Sequence, residues 1–470
     1  MGGLHFEEPG EAIQYVHKKK IVSIDLKYVD LLGRWRHVTL PASRVSTGLF
    51  DEGVGFDASS VQGYGSVSES DMCILPDQRM AFRDPFWEQP TLSFLCNVVE
   101  ADTKRPFNRC PRTAAQRAEA YLHSLDLAED ALFSPEYEFH LFDAVRHHSD
   151  KGSAFYHVAS REASWSEETG KQQAHAISEK CGYHASPPED QLFRIRDEMV
   201  ATLSEIGVQV KYHHHEGGGP GQVEIEVGFD SLVRTADQGM MIKYIVKNVA
   251  ARNGLSATFM PKPLFGLPGN GLHVHQFLTS GGNSLFYGKG SYADLSPLGV
   301  HYIGGLLEHG KSLVGLVSPS TNSFKRLVPG YEAPVSLFYS VGNRNAAIRI
   351  PRYAAGPEDK RIEFRISDAT GNIYLTLAAM LMAGIDGIRR NLEPVPPPEN
   401  AAQQEPAGAE RISRTLGEAL VCLETDYAFL LEGDVFSEDL IRTWIQLKWQ
   451  DVDEVGLRPH PWEFELYYDV

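Results

Sequence analysis

Residues 134–139 read Ser-Pro-Glu-Tyr-Glu-Phe, and residues 222–227 read Gln-Val-Glu-Ile-Glu-Val. In an extended chain, successive side chains point to opposite faces of a sheet. Glu136 and Glu138 therefore emerge on one face, and Glu224 and Glu226 repeat the arrangement on another strand. Carboxylates set side by side need a proton or a cation between them, although each pair read singly also fits a solvated strand face. His213-His214-His215-Glu216 and the loop Gly-Gly-Gly-Pro-Gly-Gln precede the second pair, and further on stand His273, His275 and Glu363. Hard carboxylates with a minority of imidazole suit Mg²⁺ or Mn²⁺. A zinc peptidase does not fit, because His215-Glu216 is followed by three glycines where that motif needs x-x-His.

Arginines follow the acidic positions: Arg326, Arg344, Arg349, Arg361 and Arg365. Guanidinium forks bind carboxylate and phosphate oxygens in pairs. Their clustering beside the carboxylates points to an anionic substrate and a transferring phosphoryl group.

Outward from these segments, residues 20–100 alternate as strands (IVSIDLKYV, RHVTLPA, TLSFLCNVVE) with Gly, Pro and Asp between them, which predicts a small β-rich domain. A polar, proline-bearing stretch from Glu100 to Pro111 places the domain boundary near residue 105, and an amphipathic helix is expected from Thr113 to Leu125. Beyond it, strand-like segments alternate with helical runs such as Ser231–Asn253 and Tyr374–Asn391, and a Pro- and Ala-rich surface loop is expected from Pro394. No internal repeat is found. Gly305–Ser312 (GLLEHGKS) satisfies the phosphate-loop pattern. Apolar residues at helical spacing run straight through it, so the match is accidental and one continuous helix is expected there.

The bulk properties agree with a large intracellular enzyme. At 470 residues the chain is long enough for two domains, and 42% hydrophobic with 23% charged residues is ordinary for a folded protein. Lys and Arg total 44 against 62 Asp and Glu, a net charge of −18, which disfavours nucleic acid and anionic lipid as partners. The five cysteines form no C-x-x-C pair, and the opening residues lack the basic and apolar regions of a signal peptide, so a reducing, cytoplasmic location is expected. The longest mostly apolar run, Leu375–Ile385, is too short to span a bilayer.

The segments FDASS, ESDM, PEYEF, HHHE, MPKP, TNSFKRLVPGYEAP, NRNAAIRIP, RIEFR and FELYY resemble the bacterial type I glutamine synthetases nearly end to end. The resemblance implies an α+β chain: a small N-terminal β-grasp-like domain over residues 1–105, and a large catalytic domain over 106–470 with a mainly antiparallel curved sheet and surrounding helices. It implies ATP-dependent ligation of ammonia to glutamate through γ-glutamyl phosphate, giving glutamine, ADP and phosphate. By similarity, one cation is held by Glu138, Glu216 and Glu224, and another by Glu136, His273 and Glu363. Phe229, His275, Arg344, Arg349 and Arg361 would take ATP and its phosphoryl group, and Gly269, His273, Arg326 and Arg365 would take glutamate. Asp57, Ser60, Tyr183, Glu216 and Glu332 correspond to the ammonium pocket, with Asp57, Glu332 and Arg344 as the catalytic positions. Asp57 would reach across from a neighbouring subunit, which implies a dodecamer of two stacked hexameric rings.

Several positions depart from that family pattern. The glutamate loop reads Pro268-Gly269-Asn270-Gly271, Phe277 stands where a Ser is usual, and Gly342 stands where an Arg is usual. Lys211 and Glu358 replace Glu and Lys, which suggests one ion pair reversed in sign. No tyrosine lies between Leu392 and Tyr427, so nucleotidylation of a loop tyrosine has no acceptor there. An organic-amine ligase and a metabolite-binding paralogue are the competing readings. The altered glutamate loop favours the first, and Phe277 with Gly342 favours the second.

Overall fold

In the computed structural model the described residues are 3–65, 70–166, 175–397 and 405–470. The expected loop from Pro394 lies partly outside them.

The alternating N-terminal segments form a five-stranded sheet in the order Trp35–Pro41, Ser23–Val29, Thr91–Glu100, Asp71–Arg83, Val54–Asp57. Ser23–Val29 pairs parallel to Thr91–Glu100, and the other pairs are antiparallel. Two helices that the alternation did not announce, Pro9–Lys18 and Thr47–Glu52, accompany this sheet.

The second sheet has eleven strands. Its main path runs Glu410–Arg411, Ser336–Val341, Ala346–Ile350, Ile362–Phe364, Leu272–Ser280, Asp130–Phe142, Gln222–Val227, Val210–His215. Along this path only Ser336–Val341 and Ala346–Ile350 run parallel, so the sheet is mainly antiparallel. Helices Leu232–Arg252 and Ile373–Arg390, whose apolar residues are almost all buried, fill the core behind it.

The phosphate-loop look-alike is helical, as its periodicity requires, but it is two helices and not one. Pro297–Glu308 and Gly310–Val317 meet at His309. His309 sits between Asp386 and Asp426, 2.9 Å from each, and stacks on Phe429. The glycines there serve packing: a Cβ at Gly305 would lie 1.9 Å from the Ala383 carbonyl oxygen.

The two sheets are tied together by buried polar groups. The Arg112 guanidinium donates to both carboxylate oxygens of Asp237 at 2.9 Å and also reaches Asp77 and Asn97. Asn372 caps the helix Ile373–Arg390 through its side-chain oxygen, while its amide nitrogen donates to the carbonyls of Asp30 and Leu31. Gly33, at φ +79, lies against the Asn372 backbone with no room for a side chain.

Candidate active site

Strand register converts the alternating sequence into a floor of charge. Tyr212, Glu226, Glu136 and His273 stand opposite one another across four strands. His214, Glu224 and Glu138 form a second row two residues along. Arg349, Glu363 and His275 form a third on the neighbouring strands. A one-residue slip of any strand would turn its carboxylates into the core, so burial of the opposite face fixes this arrangement.

Above the floor lies a cavity of about 960 Å³. Of the residues singled out from sequence, Glu136, Glu138, Tyr183, Glu216, Glu224, Gly269, His273, Arg326, Glu332, Arg344, Arg349, Glu363 and Arg365 line it. His275 lies beneath, with Nε2 2.8 Å from Glu136. Phe229 and Arg361 sit off the cavity, with the guanidinium 5.4 Å from the ring centroid. Asp57 and Ser60 are not among the lining residues. The Asp57 carboxylate is exposed and, among the described residues, accepts hydrogen bonds from its neighbours Ser59 and Ser60.

Among the described residues three groups of ligand-type atoms have the spacing a cation needs, and two of them share no residue: Glu136, His273 and Glu363, and His214, Glu216 and Glu224. The first is the trio expected from sequence. In the second, His214 stands where Glu138 was expected. Glu138 faces the same cavity, but one of its oxygens accepts from the Gly271 N–H at 2.7 Å. A third group, Glu136, Glu226 and His275, overlaps the first.

The electrostatics differ between the two groups. Burial, with Glu138 nearby, pushes the Glu216 carboxyl up to about 7. Burial and the surrounding carboxylates Glu136, Glu216 and Glu138 raise Glu224 well above the usual range. Arg344 and the Gly217 N–H offset only part of this for Glu216, and a divalent cation fits the donor set. Glu363 behaves oppositely. Burial works to raise it, but Arg365 together with His275 and His273 brings the carboxyl down to about 2. Arg349 and Arg365 each donate to one of its oxygens.

The glutamate-type loop is shaped around one guanidinium. Arg326 is buried and donates to the carbonyls of Ile366, Ser367 and Arg365. A Cβ at Gly271 would fall 2.5 Å from Arg326 Nη2, and one at Gly269 would fall 2.0 Å from the Pro261 carbonyl oxygen. Asn270 is buried: its oxygen meets His140 and Gln222, and its amide donates to Met260. The loop is thus rigidly held despite its unusual sequence.

One expectation is overturned. Lys211 does not pair with Glu358. Its ammonium lies 2.6 Å from Glu226 and 2.8 Å from Ser134, over the Phe229 ring, while Glu358 is exposed. The reason is register: Glu226 lies on the strand hydrogen-bonded to that of Lys211, within reach of its ammonium. Phe277 packs edge-on against Phe229, with ring centroids 5.1 Å apart. Arg352 fills the space beside Gly342, its Nε 3.4 Å from where a Cβ would be.

Sequence reading missed Tyr212, His184 and Tyr353, all of which line the cavity. Tyr212 was within reach of the period-two argument, two residues before His214. His184 and Tyr353 lie outside strands, where no period applies.

A buried cage of carboxylates and imidazoles ringed by arginines on one sheet face defines an enzyme site for cation-assisted transfer to an anionic substrate. Comparison with known proteins narrows the class. Residues 20–101 match the family description "Glutamine synthetase, beta-Grasp domain", and residues 108–467 match "Glutamine synthetase, catalytic domain". The chain is 44% identical to a glutamine synthetase of Nostoc sp. over 98% of its own length and 99% of the relative's. It is 43% identical to that of Frankia alni over 99% and 100%. Among solved structures it is similar to Plasmodium falciparum glutamine synthetase, with a TM-score of 0.92, 25% identity and full coverage of both chains. It is also similar to GmaS in complex with ADP, with a TM-score of 0.80, 28% identity and coverage of 97% and 99%. The chain belongs to the glutamine synthetase family. Its architecture is that family's small β-grasp domain joined to a large catalytic domain with a curled sheet, and its class is that of a ligase.

Proposed function

We propose that this chain joins ammonia to the side-chain carboxylate of glutamate at the expense of ATP, through γ-glutamyl phosphate, releasing glutamine, ADP and phosphate. The observation that carries this reading is the convergence on one cavity of two cation-spaced donor groups and of Arg326, Arg344, Arg349 and Arg365. Glu138, Glu216 and Glu224, with His214 beside them, would hold one Mg²⁺ or Mn²⁺, and Glu136, His273 and Glu363 the other. Bound there, such cations supply charge neutralisation and polarisation at phosphoryl oxygens.

The chain's own groups do the rest. Arg344, Arg349 and Arg361 take the oxygens of the transferring phosphoryl group, and Phe229 and His275 belong to the same nucleotide side. Arg326 and Arg365 orient glutamate together with Gly269 and His273. Glu332 lies in a flap after Gly330, at φ +89, and takes up a left-handed conformation itself at φ 58. Closing over the cavity, the flap would exclude water from the acyl phosphate and set a carboxylate beside the incoming nitrogen. Ammonium would be collected by Asp57, Ser60, Tyr183, Glu216 and Glu332, and loss of its proton to a carboxylate makes nitrogen nucleophilic.

Division of the chain near residue 105 fits this scheme, with Asp57 and Ser60 of the small domain completing a neighbour's site. That neither lines the cavity of its own chain supports an assembly, for which we propose two stacked hexameric rings. The C-terminal helix Pro461–Tyr467, whose Trp462, Phe464 and Leu466 are exposed, supplies apolar surface for such contacts. Among the described residues no helix is long and apolar enough to cross a membrane, and we place the enzyme in the cytoplasm.

The test is phosphate release with ATP, Mg²⁺ or Mn²⁺, glutamate and ammonium, with the product identified by mass. Glutamine formation that is lost in Glu332→Ala is the expected result. Turnover only with an organic amine would assign the site to a γ-glutamyl amine ligase instead, a reading that the altered Pro268–Gly271 loop favours.

A further inference from the structure

Behind the cation floor lies a second, fully buried carboxylate, Glu162, which takes no part in the lining of the cavity. One of its oxygens accepts from His215 Nε2 at 3.0 Å and from the Gly221 N–H at 2.9 Å. The other accepts from the Gln191 N–H at 2.9 Å. His215 is also fully buried, and its second ring nitrogen, Nδ1, lies 2.9 Å from the carbonyl oxygen of Glu216.

These bonds have a particular geometry. His215 ends one strand and Gly221 immediately precedes the next. The loop between them, Glu216 to Gly221, is what sets Glu216 against Glu224. A single carboxylate oxygen therefore pins both ends of that loop, and through the His215 ring it fixes the peptide that carries Glu216. Gly182 closes the arrangement from the other side: a Cβ there would lie 2.6 Å from both the Glu216 carbonyl oxygen and the His215 ring. Four glycines in the loop, Gly217, Gly218, Gly219 and Gly221, give it freedom that must be removed if two carboxylates are to be held at ligand spacing.

We propose that Glu162 is a positioning residue for the cation held by Glu216 and Glu224, acting through His215 and the Gly221 amide. The proposal rests on the assignment of those carboxylates as ligands made above. Outer carboxylates that orient ligand-bearing groups carry about 10–100-fold of metal affinity. Among the described residues the Glu162 carboxylate accepts from His215, Gly221 and Gln191 and from no atom of the two donor groups, so its effect belongs to one cation and not to the other.

The experiment is titration of the full-length protein with Mn²⁺, following free Mn²⁺ by EPR, for wild type, Glu162→Gln, Glu216→Gln, Glu363→Gln and Gln191→Ala. Glu162→Gln is nearly isosteric but cannot accept at all three contacts. The expected result is two classes of Mn²⁺ in wild type. Glu162→Gln should weaken, by about tenfold or more, the class that Glu216→Gln abolishes, and leave within twofold the class that Glu363→Gln abolishes. Gln191→Ala removes side-chain bonds to the carbonyls of Arg161 and His175, beside Glu162, while keeping the backbone N–H that Glu162 accepts from and without touching His215, and should leave both classes within twofold. Equal weakening of both classes by Glu162→Gln, or an equal effect of Gln191→Ala, would mean a structural role only and would overturn the proposal. Unchanged binding in Glu162→Gln would overturn it as well. If Glu216→Gln removed no class, or wild type bound no Mn²⁺, the ligand assignment itself would fall, and the proposal with it.

Discussion

Glu332 and Arg344 meet across the mouth of the cavity, with Arg344 Nη1 donating to the Glu332 carboxylate at 2.9 Å. Both side chains are more than half exposed, at 67% and 54%. An ion pair so open to water contributes between zero and about 1 kcal/mol to stability. Its significance is positional, because Arg344 also lies over Tyr183, with its guanidinium 5.9 Å from the ring centroid. Glu332→Ala is therefore expected to leave the thermal midpoint within about 2 °C of wild type, while glutamine formation falls by about 100-fold or more. A drop in activity matched by a large loss of stability would contradict this separation, and calorimetry alongside the product assay decides it.

Glu216 predicts a pH dependence whose sign follows from its raised pKa. Its folded-state value of about 7 exceeds the usual 4.5. In metal-free protein, the protonated carboxyl thus contributes stability that is fully present below about 4.5 and lost as pH rises through about 7. Cations must displace that proton, so their affinity runs the other way. Mn²⁺ affinity is expected to climb by at least about tenfold per pH unit between pH 5 and 7 and then to flatten. The thermal midpoint of EDTA-treated protein should be higher at pH 6 than at pH 8, with added Mn²⁺ reducing or reversing the difference. A midpoint independent of pH in the metal-free state would show Glu216 to be ionised throughout.

The outcome separates what a linear pattern can carry from what it cannot. Period-two alternation placed Glu136 with Glu138 and Glu224 with Glu226, and the structure uses both pairs on one face because the opposite face is core. It could not choose partners across strands. For that reason His214 and not Glu138 stands in the second donor group, and Lys211 meets Glu226 and not Glu358. The helical repeat through Gly305–Ser312 exposed a false phosphate loop, yet it passed over the break at His309, whose ring is held by Asp386 and Asp426 from distant segments. Arg326 could be picked out as an anion binder. That most of its donors point to backbone carbonyls, and that it shapes the glycine loop, depends on contacts some forty residues away.

Gly271 tests that loop directly. Its missing side chain is where Arg326 Nη2 and His273 Nε2 pass, 2.5 and 2.8 Å from the position of a Cβ. Gly271→Ala must displace the guanidinium, the imidazole or the strand start at Leu272. The expected effect is a KM for glutamate raised by about tenfold or more with the KM for ATP little changed, since the loop lies on the glutamate side. Steady-state kinetics with each substrate varied in turn decides between this and a general loss of kcat, which would point to a misplaced cation ligand at His273.

Arg112 offers the clearest stability test because it joins the two domains without touching the site. Its buried guanidinium neutralises Asp237, also reaches Asp77 and Asn97 of the small sheet, and shares Asp237 with the Tyr374 hydroxyl at 2.6 Å. Burial works against its charge, yet the pKa of Arg112 is raised because Asp237 and, to a lesser extent, Asp77 and Tyr374 together outweigh that cost. Truncation to Leu would leave Asp237 buried with no cation, which costs about 3–5 kcal/mol in comparable pairs. Arg112→Leu is expected to lower the thermal midpoint by several degrees. The double variant Arg112→Leu with Asp237→Leu should recover part of that loss, since the uncompensated charge is then gone as well. A double variant less stable than Arg112→Leu alone would show that packing, and not the unpaired carboxylate, dominates this junction.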